Sequence, residues 1–125
     1  MSELIFKKPS SVFELGNEAN RITLSGDFHI HDIRRVFAKI HDLVNNKKYL
    51  NLIFDFSRAG KLLPSSMLPL CANIKNLNQF SKIETSLVLP EYEATRKLFL
   101  NTGWANIIEP RKFDKPYPPK TGVVA

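Results

Sequence analysis

Two neighbouring serines offer hydroxyl chemistry in the apolar stretch LLPSSMLPL, where Ser65 and Ser66 stand between two prolines. A serine becomes a catalytic nucleophile when a base, oriented by a third group, removes its proton. The residues around the pair supply no such base, and the sequence lacks a GxSxG elbow, a GxxxxGK(S/T) phosphate loop and a GxGxxG fingerprint. We therefore expect a protein that is not an enzyme and that needs no cofactor.

The same hydroxyls could accept a phosphate or cap a helix. Apolar residues at helical spacing follow the pair, which predicts a helix that begins near Ser66, and serine is a favoured N-cap residue. The preceding strand ends near Phe56, so the pair is expected at the carboxyl ends of the strands, where sites collect in open α/β sheets. A phosphate there would gain from the helix dipole and would repel a partner that fits the neutral hydroxyl. Capping and phosphorylation are both open interpretations of the pair.

Three histidines raise the question of a metal site. His29 and His31 are two residues apart, a spacing that does not place both on one helix face, and His41 follows about three turns later. No cysteine or carboxylate cluster in the sequence completes a ligand set. We therefore expect surface histidines and no metal.

Composition favours one globular domain in a reducing compartment. The chain has 125 residues, and its net charge of +6 is spread along the sequence rather than gathered in one stripe. Cys71 is the only cysteine and has apolar neighbours, which predicts a packed thiol without a disulfide. No apolar run has the length of a membrane span or of a signal peptide. A cytoplasmic location is expected.

Extended and helical patterns alternate along the chain and define the elements that must position these residues. The turn-rich segment GNEAN separates two short extended segments, which predicts an opening β-hairpin. After Gly26, apolar residues recur every three or four positions and predict a helix, and Gly103 is a predicted helix stop. The predicted elements are strands 11–15 and 21–25, helix 29–46, strand 50–56, a loop to residue 64, a helix carrying residues 67–77, strand 85–90, helix 90–103 and strand 104–109.

This order predicts an α/β fold. Strands that alternate with helices form parallel sheets joined by right-handed crossovers. We expect a single domain over residues 1–109, with a mixed, mostly parallel open sheet of about four or five strands and about three helices. Residues 110–125 carry prolines and basic side chains with little apolar content, and we interpret them as a Pro-rich basic tail or linker.

Three stretches together resemble the STAS domain, the family of anti-sigma factor antagonists and of the cytoplasmic tails of sulfate transporters. ITLSGDFHIHDIRRVFAKI is similar to the family's strand, Gly-acid-apolar turn and first helix, and FDFSRAGKLLPSSM is similar to its strand end and its Asp-Ser-Ser-Gly or Asp-Ser-Thr-Gly motif. SLVLPEYEATRKLFLNTGWANII is similar to its later strand, helix, Thr-Gly turn and last strand. Pro64 and Met67 stand where the family has aspartate and glycine. The likeness spans residues 21–109.

The resemblance implies a bacterial, cytoplasmic signal-transduction protein that binds protein partners. In the family, the serine after the motif's aspartate is phosphorylated by a partner kinase with a histidine-kinase-like ATPase fold, and only the unphosphorylated form binds that partner. This position corresponds to Ser65, with Ser66 beside it as a second phosphorylation candidate. The implied partner is an ATPase-type kinase or an anti-sigma-like factor. The partner-binding candidates are Ser57, Arg58, Lys61, Pro64, Met67 and Leu68.

Other functions stay open beside this one. Met67 and Leu68 could form a constitutive hydrophobic contact, with the serines doing no more than start a helix. The same strand ends could bind a nucleotide or another small ligand, which would raise thermal stability. An adaptor for nucleic acid or a membrane surface would use the basic tail and lose affinity in salt. Prolines and an acid interrupt that tail, so nucleic acid is not the expected partner.

Overall fold

Five strands form one open sheet in the part of the chain that the structure, a computed structural model, describes, which is residues 10–113. The opening hairpin is present as predicted, but its first strand lies three residues later than the predicted 11–15 and includes part of GNEAN, and its second strand extends to residue 28 instead of 25. The strands are β1 Glu14–Glu18, β2 Arg21–Phe28, β3 Asn51–Asp55, β4 Ala59–Leu62 and β5 Glu84–Val88.

Helices make the connections between the parallel strands. The first connection is a nearly continuous helical segment that opens with a 3₁₀ helix, Ile30–Asp32, and closes with a π-helical stretch, Asp42–Asn46. Its extent matches the predicted helix 29–46. The α-helices are α1 Ile33–His41, α2 Pro64–Phe80, α3 Glu93–Thr102, α4 Trp104–Ile108 and α5 Pro110–Phe113.

The sheet is mixed and mostly parallel, with the order β1-β2-β3-β5. β1 runs antiparallel to β2, whereas the β2–β3, β2–β4 and β3–β5 pairs are parallel. The first part of β2 pairs with β3, and its last residues pair with β4. The predicted α/β class with an open sheet is therefore confirmed, with five α-helices among residues 10–113 where about three were expected.

One face of the sheet carries the core. In β2, Ile22 and Leu24 are fully buried while Thr23 between them is half-buried, the alternation of a strand with one covered face. β3 repeats this pattern, so the continuous coverage on both faces that its apolar sequence suggests is not found. Each buried aliphatic or aromatic side chain contributes about 1.5–3 kcal/mol to the stability of the fold. The helices add Val36, Ile40, Met67, Leu70, Ile74, Phe99 and Trp104 to the same core.

Gly26 allows a close approach of three chain segments at the bend of β2. Its φ is 80°, in the left-handed region, and a Cβ at this position would collide with the carbonyl oxygen of Val12. Its N–H donates to the carbonyl oxygen of Arg58 at 3.1 Å, and the register between β2 and β4 shifts at the same point. Glycine is therefore needed where β2 leaves β3 and joins β4.

Strand β4 replaces part of the loop that was predicted between β3 and α2. Ala59 and Gly60 are buried, and the four-residue strand pairs with the end of β2. The sequence AGKL is short and contains small residues of low strand propensity, so its extended conformation depends on the distant partner strand.

The predicted strand 104–109 is wrong, because this segment forms α4. Gly103 ends α3 as predicted, with a φ of 86°, and the next residue starts the new helix. Trp104, Ala105 and Ile108 are buried, and this spacing of one and four residues defines a helix face rather than the alternation of a strand. The pair of β-branched isoleucines near its end favoured the strand interpretation.

Helical structure continues past residue 109, into the segment interpreted as a tail. Residues Pro110–Phe113 form α5, and the Asn106 amide donates to the carbonyl oxygen of Phe113 at 2.7 Å. Phe113 packs against the core. Residues 114–125, the rest of the predicted tail, lie outside the described residues. None of the helices within residues 10–113 has the length and apolar character that a membrane crossing requires.

Candidate functional site

Ser66 occupies a buried position in the first turn of α2. Its side chain is 0% exposed, and its hydroxyl donates to the carbonyl oxygen of Phe28 at 2.9 Å, with the carbonyl oxygen of Leu63 at 3.1 Å as a second acceptor for the same proton. The contact with Phe28 ties the start of α2 to the end of β2. The prediction that Ser66 caps the helix is wrong, because the helix begins at Pro64 and its N-cap, Leu63, makes no side-chain cap. Proline suits this first position because an N–H there would have no helical acceptor.

Ser65 is exposed on the same turn. It is the second residue of α2, where backbone N–H groups find no acceptor inside the helix. The first turn of α2 holds no acidic side chain, so no local carboxylate offsets its positive partial charge. A negative group on the Ser65 hydroxyl would therefore be stabilised by the helix end. Of the two phosphorylation candidates, Ser65 is presented at the surface and Ser66 is enclosed.

The Met67 side chain points into the core, whereas the Leu68 side chain points to solvent. Met67 is fully buried and belongs to the hydrophobic core, so its side chain is not available to a partner in this structure. Leu68 is 59% exposed on the next position of the helix. Of these two residues, only Leu68 can make the expected apolar contact with a partner. Leu63, five residues earlier in the chain, is also exposed.

The segment between β3 and α2 carries exposed positive charge. Arg58 and Lys61 are exposed. Ser57 is half-buried, and its backbone N–H donates to Asp55 Oδ1 at 2.9 Å while its carbonyl accepts from Glu91 N at 3.0 Å. Ser57 thus holds the loop in place. We call the exposed residues of this region the Ser65 surface; they are Arg58, Lys61, Leu63, Pro64, Ser65 and Leu68.

Asp27 positions the strand that leads to the Ser65 surface, a role that the sequence analysis did not assign. Its Oδ1 accepts a hydrogen bond from the backbone N–H of Lys61 at 2.7 Å. Gly60 leaves room for this carboxylate, since a Cβ there would collide with the same oxygen. The signal in the sequence is the acid of the Gly-acid-apolar turn GDF.

A groove with a volume of about 450 Å³ lies beside β4. It adjoins the Ser65 surface through Lys61, which lines it. The Thr95 hydroxyl donates to the Gly60 carbonyl at 3.2 Å and joins the groove's two walls. The groove is lined by Ser11, Asp27, Gly60, Lys61, Leu62, Tyr92, Ala94, Thr95 and Leu98.

His29, His31 and Asp32 come together at the end of β2. His29 Nδ1 lies 3.8 Å from Asp32 Oδ2, and His31 Nε2 lies 3.7 Å from Asp32 Oδ1. Their spacing would place the two histidines on different faces of a regular α-helix, but His29 precedes a 3₁₀ turn that contains His31 and Asp32. His41 lies elsewhere and contacts the Asn45 side chain at 2.9 Å.

Cys71 has the properties of a packed thiol, as its neighbours predicted. It is buried within α2, and burial raises the pKa of its thiol to about 12. A nucleophilic cysteine needs a lowered pKa and access to solvent. Cys71 has neither property.

No known protein-family model matches the sequence, and no curated protein matches it.

Proposed function

We propose that this chain is a regulatory protein-binding module of the STAS type, which docks on a protein partner through the Ser65 surface. The observation that carries the proposal is the exposure of Ser65, together with the exposed apolar side chains of Leu63 and Leu68, at the start of a helix that packs on the core. Hydroxyl and apolar groups held on a packed helix form a surface with little conformational entropy to lose on binding. Such a surface suits recognition of another protein.

The charge of the surface indicates the chemistry of the partner. Arg58 and Lys61 are exposed in the segment that leads into α2, so we propose a partner with an apolar pocket and an acidic rim. The STAS resemblance points to an ATPase-type kinase or an anti-sigma-like factor as a partner of this kind. Binding rather than catalysis is proposed because Ser66 is bonded to backbone carbonyls and Cys71 is enclosed in the core.

Phosphorylation of Ser65 is the proposed control of this docking. A phosphate would add a charge of about −1.5 to −2 beside Leu63 and Leu68, and an acidic partner would be repelled. The helix end would tolerate the added charge, because its dipole favours an anion there by about 0.3–1 kcal/mol. The switch would therefore change the surface without loss of the fold.

Ser65 variants test the proposal. Proteins captured from the native cells by the tagged chain would be identified by mass spectrometry, and the peptide that contains Ser65 would be examined for phosphate. The captured partner, once purified, should bind Ser65→Ala with the affinity of the wild type and bind Ser65→Asp at least tenfold more weakly, with the melting temperature of both variants preserved. Equal affinity for the two variants would rule out the switch and leave constitutive docking.

The groove beside β4 favours a second candidate, the binding of a nucleotide or another small ligand. Its volume of about 450 Å³ lies within the range of small-molecule sites, and Lys61 places a cation at its edge. A nucleoside triphosphate that binds there should raise the melting temperature of the wild type and raise that of Lys61→Ala less. No shift at millimolar nucleotide would contradict this candidate.

A further inference from the structure

We propose that His29, His31 and Asp32 form a binding site for a divalent transition metal, with Zn²⁺ as the representative ion. One ligand atom from each residue lies within 4.8 Å of the other two. Two imidazoles and one carboxylate are a donor set that suits Zn²⁺ and the neighbouring first-row metals, while Mg²⁺ and Ca²⁺ prefer oxygen ligands.

The ligand atoms lie near the separations that one shared ion requires. Zinc bonds of about 2.0–2.1 Å at a tetrahedral angle place two ligand atoms about 3.3–3.4 Å apart. His31 Nε2 lies 3.7 Å from Asp32 Oδ1, a few tenths of an ångström more than this separation, whereas the 3.8 Å contact of His29 Nδ1 is with the other carboxylate oxygen, Oδ2. The ligand atoms lie within 4.8 Å of one another, and the two rings are inclined by 4° with centroids 5.4 Å apart. To share one ion the rings must rotate about their side-chain torsions, and their nitrogens must approach by up to about 1.5 Å.

Burial makes Asp32 the fixed member of the set. Its side chain is 8% exposed, whereas those of His29 and His31 are 42% and 77% exposed. Asp32 Oδ2 accepts a hydrogen bond from the backbone N–H of His29 at 3.0 Å, which holds the carboxylate in place and leaves Oδ1 for a metal. A buried carboxylate beside two more exposed imidazoles is a partly organised site. Water would complete the coordination of an ion held by these three residues.

The site adjoins the start of α2. His29 follows Phe28, whose carbonyl oxygen accepts from the Ser66 hydroxyl, and the 3₁₀ helix contacts α2. An ion at this place would brace the end of β2 and the first turn of the helical segment that follows it. The proposal stands on the side-chain geometry alone and does not depend on protein docking.

Titration of the untagged chain with Zn²⁺ by isothermal calorimetry tests the proposal. We expect one ion per chain for the wild type and an affinity at least tenfold lower for His31→Ala, whose exposed side chain can be removed without disturbing the core. His41→Ala is the matched control and should bind as the wild type does, because it changes the one histidine outside the cluster. Asp32→Asn, which keeps an oxygen acceptor for the helix start, should also lose affinity.

Two results would overturn the proposal. The first is the absence of saturable Zn²⁺ binding by the folded wild type at neutral pH. The second is a His29→Ala/His31→Ala double variant that binds Zn²⁺ as tightly as the wild type while circular dichroism shows that both are folded.

Discussion

At the scale of single residues, the two adjacent serines have separate tasks. Ser66 bonds to the Phe28 and Leu63 carbonyls inside the fold, whereas Ser65 faces solvent. The sequence alone presents them as equivalent hydroxyls, because the direction of each side chain is set by how α2 meets the end of β2. A substitution at one position should therefore change stability, and a substitution at the other should change binding.

Ser66→Ala should lower the free energy of unfolding by about 1–2 kcal/mol, since it removes a buried hydroxyl and its hydrogen bonds to backbone oxygens. Ser65→Ala is the control and should change stability by less than about 0.5 kcal/mol, as surface substitutions usually do. Urea denaturation of both variants measures the difference. Equal losses for the two variants would show that Ser66 does not have the proposed structural role.

Cys71 should make stability fall at alkaline pH. Burial raises the pKa of its thiol from the ordinary 9.0 to about 12, so above pH 9 the unfolded chain releases this proton while the folded chain keeps it. The contribution is complete below pH 9 and is lost as the pH rises toward 12. Between about pH 8 and pH 10.5 the wild type should lose about 2 kcal/mol more than Cys71→Ala, in which other alkaline titrations are unchanged. Equal losses of unfolding free energy for the wild type and Cys71→Ala, measured by urea denaturation, would contradict the raised pKa of the thiol.

At the scale of elements, the helix α4 and the residue that follows it cover one edge of the sheet. β5 is an outer strand, and exposed strand edges invite pairing with other chains. The Leu87 N–H donates to Glu109 Oε1 at 2.9 Å, and the Thr85 hydroxyl donates to the Ile108 carbonyl. The segment after Gly103 therefore covers β5 as a helix, where the sequence suggested a further strand.

Glu109→Ala should destabilise the protein by about 1–3 kcal/mol, because the partly buried Leu87 N–H loses a charged acceptor. Glu84→Ala is the matched control on the same strand edge. Its carboxylate makes only an exposed contact of 3.4 Å with Arg111, and such pairs contribute about 0–1 kcal/mol. Denaturant titrations give both values, and light scattering would show more self-association for Glu109→Ala. A larger loss for Glu84→Ala would refute this role for Glu109.

Some helices and strands could be predicted from the sequence, and others could not. The first two long helices have apolar residues at helical spacing, and β3 and β5 are short apolar runs, so the order of these elements predicts the α/β class. β4 could not be found in the same way, because four residues with small side chains are extended only through pairing with β2. Helical spacing predicts that His29 and His31 lie apart, whereas the 3₁₀ turn that begins at Ile30 brings them together with Asp32.

At the scale of the whole molecule, the helices and one sheet face form a single core, and the proposed function is located at one end of it. The carboxyl ends of β2, β3 and β4 lead into the Ser65 surface, the groove beside β4 and the histidine cluster. Ser66 is recognisable in the sequence as a polar position in apolar surroundings, whereas the role of Asp27 is not. The contacts that they make depend on segments far apart in the chain.

The most direct test of docking compares two substitutions on α2. Leu68→Asp places a charge on the Ser65 surface, and Phe80→Asp places one on another exposed apolar residue, 77% exposed at the far end of the same helix, about 18 Å away at 1.5 Å per residue. Both variants should fold, since neither side chain belongs to the core. We predict that proteins captured by the wild type in native cells are retained by Phe80→Asp and lost with Leu68→Asp. Equal recovery of those proteins by Leu68→Asp would contradict docking through the Ser65 surface.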